Sequence, residues 1–364
     1  MKKAVSLAIL ALVSILSITT VSFSTYAYNE ENQLENNVKL LLNEEQFSDE
    51  EFYYELSKLS KDDIIQLGNI VSIDNNSDTN NLMPLATALA VNETKFTEDD
   101  IVSLIEDTTN NIEFRNVLVQ FYAYKVDTEK NYNEEFKKML LDNSVDDSIK
   151  ISIVSTFKFN DKEDNEILKE LVMDENIELS NIALKRLKNI DENTAKQISF
   201  QILDNYENED SERVKNALNV YSALYDDEDT INMLSEEDSF QDFCITLLND
   251  SNYSETAAFA LGNLYDYEAV KSVITSDVDF LTKVCVIDQN YSILLDKLYD
   301  DINENDFNII LDAMEILPIN EFYDPIKEIV VSDTIENNMI KEKGNKILEV
   351  IQSVGVSANE KWND

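Results

Sequence analysis

The chain has 364 residues, with 29 Lys plus Arg against 73 Asp plus Glu, a formal net charge of −44, and no His, so no chemistry here can run through an imidazole. Its 4 Gly and 3 Pro are too few turn-formers for a fold built on many tight β reversals. The 43% of hydrophobic residues is enough for a sizeable core, so the acidity does not by itself mean disorder.

The first segment reads as a secretory leader over residues 1–27. Lys2 and Lys3 form a basic start, an apolar run extends from Ala4 to about Ile18, and the small residues Thr25 and Ala27 suit a signal-peptidase cleft. Cleavage after Ala27 is expected, leaving a mature chain of 27 − 73 = −46. The alternative is an uncleaved membrane anchor, because Ala4 to Phe23 is about 20 residues long. Beyond the leader no apolar run is long enough to span a bilayer, so no membrane contact is expected after cleavage. Asn-, Ile- and Lys-rich composition and a short leader point to a secreted protein of a Gram-positive bacterium.

Residues 28–73 read as an N-terminal helical cap. Within it Ser48 to Glu51 has the S-x-x-E form of a capping box, followed by Phe52, Tyr53, Leu56 and Leu59 at helical spacing. Residues 74–81 are a wholly polar linker. Thr97 to Asp100 repeats the capping pattern ahead of Ile101, Leu104 and Ile105. Acids in first turns suit the positive end of the helix dipole, which gives much of the negative charge a structural role.

Over residues 82–351 a repeat emerges. One helix per unit carries a small or branched apolar residue followed by a second apolar residue, the first of each pair being Ala88, Val117, Ile153, Ala183, Ala217, Ala260, Ala313 and Ile347. Between most of these anchors lies a second amphipathic helix, such as the one bearing Ile167, Leu168, Leu171 and Val172. A single helix pair cannot bury its apolar stripe, so successive pairs are expected to stack around a shared core. The wide gap before Ala313 is expected to hide a degenerate unit with the Cys285 helix. Residues 352–364 form a C-terminal tail.

The segment Ser254 to Leu264, with its Ala260, Leu261, Gly262 and Leu264, resembles the HEAT-repeat-like superfamily, whose second helices carry an A-L-G-x-L stretch. Asn181 to Leu187 and Asn216 to Tyr221 match more weakly, and the Pro and Arg marks of the strict consensus are largely missing. The resemblance implies an all-α fold, an α-solenoid of stacked antiparallel helix pairs. It does not imply a reaction, because such solenoids mostly act as binding scaffolds.

Several constellations fail on inspection. Asp74, Asn76 and Asp78 begin a calcium-loop pattern, but Thr79 stands where Gly is needed and Leu85 where a closing Glu belongs. Asp226 to Asp229 and the group Asp300, Asp301, Glu304 and Asp306 read as inter-helix loops and caps. Cys244 and Cys285 lie in apolar helical contexts and read as buried small hydrophobes, with a disulfide in the oxidising exterior as the alternative; they lack the spacing of a zinc site. Ser and Cys nucleophiles lack a His base, no phosphate-cradling Gly-rich loop occurs, and the charge repels nucleic acid.

The expectation is therefore an exported, non-enzymatic scaffold without cofactor or metal, whose partner is a protein or peptide of basic character. The polar positions two residues past a repeat anchor select Ser155, Lys185, Asn219 and Glu315 as partner-binding candidates. Two alternatives stay open. One is a cell-surface protein bridged by divalent cations; the other is a carboxylate-dependent (α/α)-type glycoside hydrolase.

Overall fold

The computed structural model describes residues 49–70, 82–125, 134–157, 159, 162–225, 239–300, 302–332 and 335–357. The leader, Ser48, the 74–81 linker with its calcium-loop pattern, Asp226–Asp229 and Asp301 lie outside the described residues. Among those described there are nineteen α-helices and no strand, only an isolated parallel bridge between Ile319 and Val356. The residue contacts group the chain into two compact units, Met1–Ile190 and Asp191–Asp364.

The first unit contains α1 (Asp49–Lys58), α2 (Lys61–Ile70), α3 (Leu82–Val91), α4 (Glu98–Glu106), α5 (Ile112–Lys125), α6 (Glu134–Leu141), α7 (Asp147–Thr156), α8 (Lys162–Val172) and α9 (Ile177–Ile190). Each of α3, α5, α7 and α9 packs against the helix just before it, and α3, α5 and α7 each pack against the next member of the series. Within the unit these four helices therefore contact one another in sequence order, each with a companion helix before it. Local sequence explains the starts: Thr97 and Asp100 exchange side-chain-to-backbone hydrogen bonds as a capping box at α4. The apolar stripe then turns inward, with Ile101 and Ile105 fully buried. Between α5, α6 and α7 the rings of Tyr122, Phe136 and Phe157 form a cluster, with centroids 4.9 Å apart for the first pair and 5.1 Å for the second.

The second unit contains α10 (Glu192–Asp204), α11 (Ser211–Ala223), α12 (Phe240–Leu247), α13 (Ser254–Gly262), α14 (Tyr267–Thr275), α15 (Phe280–Gln289), α16 (Tyr291–Tyr299), α17 (Glu304–Ile316), α18 (Tyr323–Val331) and α19 (Asn338–Val354). Here α11, α13, α15, α17 and α19 pack in series, and α12, α14, α16 and α18 form the companion layer. The helix bearing Cys285 fills the wide gap in the repeat by packing between α13 and α17. All the repeat anchors are buried, with Ala88, Val117, Ile153, Ala183, Ala217, Ala260 and Ala313 at 0% exposure. Their small or branched side chains let neighbouring backbones approach. At Gly262 an added Cβ would sit 3.3 Å from Asn290 Nδ2 and 3.5 Å from Val286 of α15.

A second device recurs at the turns. A helix leaves its last carbonyls without partners inside the helix, and in four pairs the fourth residue of the second helix reaches back to one of them. Arg115 Nε donates to Ile105 O at 2.6 Å, Ser180 Oγ to Val172 O at 2.5 Å, Lys283 Nζ to Ile274 O at 2.9 Å, and Lys341 Nζ to Ser332 O at 3.0 Å. Three of these four donors are cationic, which also suits the negative end of the dipole.

One expectation is corrected. Cys244 is buried in α12, and burial pushes its thiol pKa up, but Cys285 is exposed on α15. The face of α15 that packs inward is carried by Thr282, Val286 and Ile287, and Cys285 lies off that stripe.

Candidate functional site

In the first unit the α4–α5 and α6–α7 turns enclose a cleft of about 440 Å³, lined by Asn69 from α2, residues 108–113, Arg115, Ser144 and Asp146. Asparagine side chains set its wall: Asn69 Nδ2 donates to Asn110 Oδ1 at 3.0 Å, Asn69 Oδ1 accepts from Asn111 N at 2.7 Å, and Asn110 Nδ2 donates to Leu104 O at 3.0 Å. Arg115 forms the floor. Its Nη1 pairs with Asp146 Oδ2 at 2.5 Å while its Nε caps α4.

Glu113 is the unusual member. It is only 6% exposed, its Oε2 accepts no hydrogen bond, and burial raises its carboxyl pKa against the lowering effect of its own backbone N–H. Along the same helix Asn116 Oδ1 and Gln120 Oε1 are also buried acceptors without a partner. Neither of those two lines the cleft, where Glu113 offers an acceptor suited to a hydrogen-bond donor or a cation. The cleft's hydroxyls serve local turns: Thr109 Oγ1 donates to Asp107 and Ser144 Oγ to Asp142, each at 2.7 Å. The Thr109 hydroxyl and then its backbone N–H hold Asp107 below the usual carboxylate range, and the Ser144 backbone N–H and then its hydroxyl do the same for Asp142.

A second polar cluster lies in the other unit. Asp306 of α17 pairs with Lys271 at 3.2 Å and Lys297 at 3.7 Å, and both ammonium groups lie over the Tyr267 ring, at 5.6 Å and 5.1 Å. Burial pushes the Asp306 carboxyl up, but the hydrogen bond and charge of Lys271 and the hydrogen bond from Asn303 bring it net below its ordinary value. Burial, then the Asp306 charge, raises the Tyr267 hydroxyl. Two ammonium groups on one carboxylate make this an α14–α16–α17 staple. Of the expected acidic group, Asp300 is exposed after α16 and Glu304 accepts the backbone N–H groups of Glu336 and Asn337 at 2.7 and 2.8 Å. Among the described residues no group of three or more acidic or Cys side chains could hold a metal ion.

The partner-binding candidates are dispersed. Ser155 is half-buried near the end of α7, where its carbonyl and that of Val154 accept from the Arg186 guanidinium. Lys185 on α9, Asn219 on α11 and Glu315 on α17 are exposed. None of the four lines the Arg115 cleft. Sequence reasoning missed that cleft; the available signal was a Glu and an Arg at the head of an otherwise apolar helix.

Among the described residues no helix is long and apolar enough to cross a membrane. The chain is an all-α, helical-repeat-like protein. Comparison with protein-family models, with curated proteins and with solved structures gave no match in any of the three.

Proposed function

We propose that this chain is an exported, non-catalytic scaffold, an α-solenoid of HEAT-like helix pairs that binds a protein or peptide of basic character. The observation that carries the reading is where the cations go. Arg115, Arg186, Lys95, Lys125, Lys283 and Lys341 donate to backbone carbonyls. Lys58, Lys61, Lys138, Lys169, Lys215, Lys271, Lys297 and Lys343 pair with carboxylates. With acids outnumbering bases 73 to 29, the remaining surface carries a strong negative field that favours and accelerates encounter with a cationic partner.

The exposed Lys185, Asn219 and Glu315, with Ser155, remain the proposed contact positions on the second helices. The Arg115 cleft adds an acceptor-rich pocket in which Glu113 would meet a partner's ammonium or guanidinium group. The test is binding of the full mature chain to a Lys/Arg-rich peptide and to its Glu/Asp counterpart over a range of salt. Binding confined to the cationic peptide and weakening as salt rises is expected; equal binding of both, or none of the cationic one, overturns the reading. Export is tested by sequencing the N-terminus of protein recovered from culture medium, where Tyr28 is expected as the first residue.

A further inference from the structure

Exposed apolar side chains gather at one end of the second unit. Phe280 and Leu281 begin α15 and are 60% and 71% exposed, Tyr299 ends α16 at 67%, Val331 ends α18 at 76%, and Met339 opens α19 at 75%. These residues sit at or beside three successive turns, α14–α15, α16–α17 and α18–α19. The turns lie together because α15, α17 and α19 pack in series. Glu304, first in α17, binds the backbone just ahead of α19, and Lys343 of α19 reaches Asn308 and Asp312 on α17, so these two helices run side by side in the same direction. Lys271 and Lys297 draw α14 and α16 onto Asp306 at the head of α17.

The ridge is acidic as well as apolar. The described residues of the three turns, taken as 276–283, 299–304 and 331–341, include Asp277, Asp279, Asp300, Glu304 and Glu336 but only Lys283 and Lys341. Both lysines are half-buried and donate to carbonyls of their own turns. Apolar tips ringed by unbalanced carboxylates complement a segment with the opposite pattern. An anionic lipid surface or an acidic peptide would be repelled.

We infer that this ridge docks a cationic amphipathic segment of the partner, its apolar face on Phe280, Leu281, Tyr299, Val331 and Met339 and its basic residues against the flanking carboxylates. The inference rests on the basic-partner reading and names where and how that partner is held. Two interhelix spacings of 8–10 Å set the span at roughly 16–20 Å, which a helix of about 12 residues covers.

The test uses the full mature chain and two synthetic helices of about that length, one of Leu and Lys with a single apolar face and one of Leu and Glu with the same face, titrated by calorimetry. The Leu/Lys helix is expected to bind and the Leu/Glu helix not to. The double substitution Leu281→Ser with Met339→Ser should weaken binding at least tenfold while the melting curve is unchanged, because both side chains face solvent. Tyr299→Ala, assayed separately, should weaken it in the same direction. Leu141→Ser, at an exposed apolar position in the other unit, should leave it as it was. Equal affinity of wild type and double variant, or equal binding of the two helices, overturns the proposal. So does a variant that only dissolves a self-associated form seen by sedimentation and leaves peptide binding intact. If the wild type fails to bind the Leu/Lys helix at all, the basic-partner reading falls too; if wild type and variant bind it alike, only the ridge is lost.

Discussion

Gly68, in α2, offers a test in which two effects of known size oppose one another. Replacing a helix-interior Gly by Ala gains about 0.8–1.0 kcal/mol of helix propensity. The Cβ so created would press into the ring of Phe114, far inside van der Waals contact with its Cγ and Cδ2 and 2.6 Å from Cε2. Phe114 is fully buried in α5, so the ring has nowhere to swing, and forcing atoms into a packed core costs about 1–3 kcal/mol, occasionally more. An overlap with three atoms of a rigid ring belongs at the upper end, which leaves Gly68→Ala about 2 kcal/mol less stable. At Gly262 the same change meets only Asn290 Nδ2 at 3.3 Å and Val286 methyls at 3.5 Å, so propensity and squeeze nearly cancel. The assay is urea denaturation followed by circular dichroism. For an m-value of about 1–3 kcal/mol/M the Gly68→Ala midpoint falls by roughly 1 M, while Gly262→Ala moves little. Phe114→Leu added to Gly68→Ala should recover part of the loss. A Gly68→Ala chain as stable as wild type would refute the close packing of α2 on Phe114 of α5.

Other expectations follow from single side chains. Arg115→Leu removes both the cap on Ile105 O and the partner of Asp146 and should cost about 2–4 kcal/mol; Asp146→Asn, at a half-exposed carboxylate, should cost less, and the two denaturation midpoints decide. The Asp100 carboxyl is lowered from 3.8 to about 2, by its Lys61 bond first and then by Thr97. The stability it contributes is present above pH 3.8 and is lost as pH falls toward 2, so Asp100→Asn should flatten that part of the acid-denaturation curve. Glu113 runs the other way. Its pKa is raised above 4.5 in the folded chain, so its ionisation destabilises as pH rises through the folded value, and Glu113→Gln should stabilise at pH 7 and change little below pH 4.5. A thiol reagent should titrate Cys285 in the native chain and Cys244 only on unfolding; two fast thiols would contradict the burial of α12.

The helical class and the pairing of helices were legible because the signals are local. Eight apolar anchors and the Thr97 cap depend on neighbours three or four residues away, and the helix geometry converts that spacing directly into a buried face. Cys285 was misread for the same reason in reverse: its neighbours Val284 and Val286 are adjacent in sequence but lie about 100° away around the helix, so an apolar flank says little about which face packs. The Arg115 cleft was not legible because Asn69, Glu113 and Asp146 come from three elements brought together only by the stacking of turns. Ser155 shows a further blind spot, since the Arg186 guanidinium that occupies its carbonyl is contributed by the following pair.

The series packing within each unit also governs how the chain can reach its structure. The substantial partners of any helix lie one to three helices away along the chain, so loop closures stay short and their entropic penalty grows only slowly with length. Folding can therefore nucleate at any pair within a unit and zip outward, which places these units among fast folders for their size. The same locality limits damage: a lesion such as that at Gly68 should loosen α2, α3 and α5 first, visible as early hydrogen exchange there while α8 and α9 keep their protection.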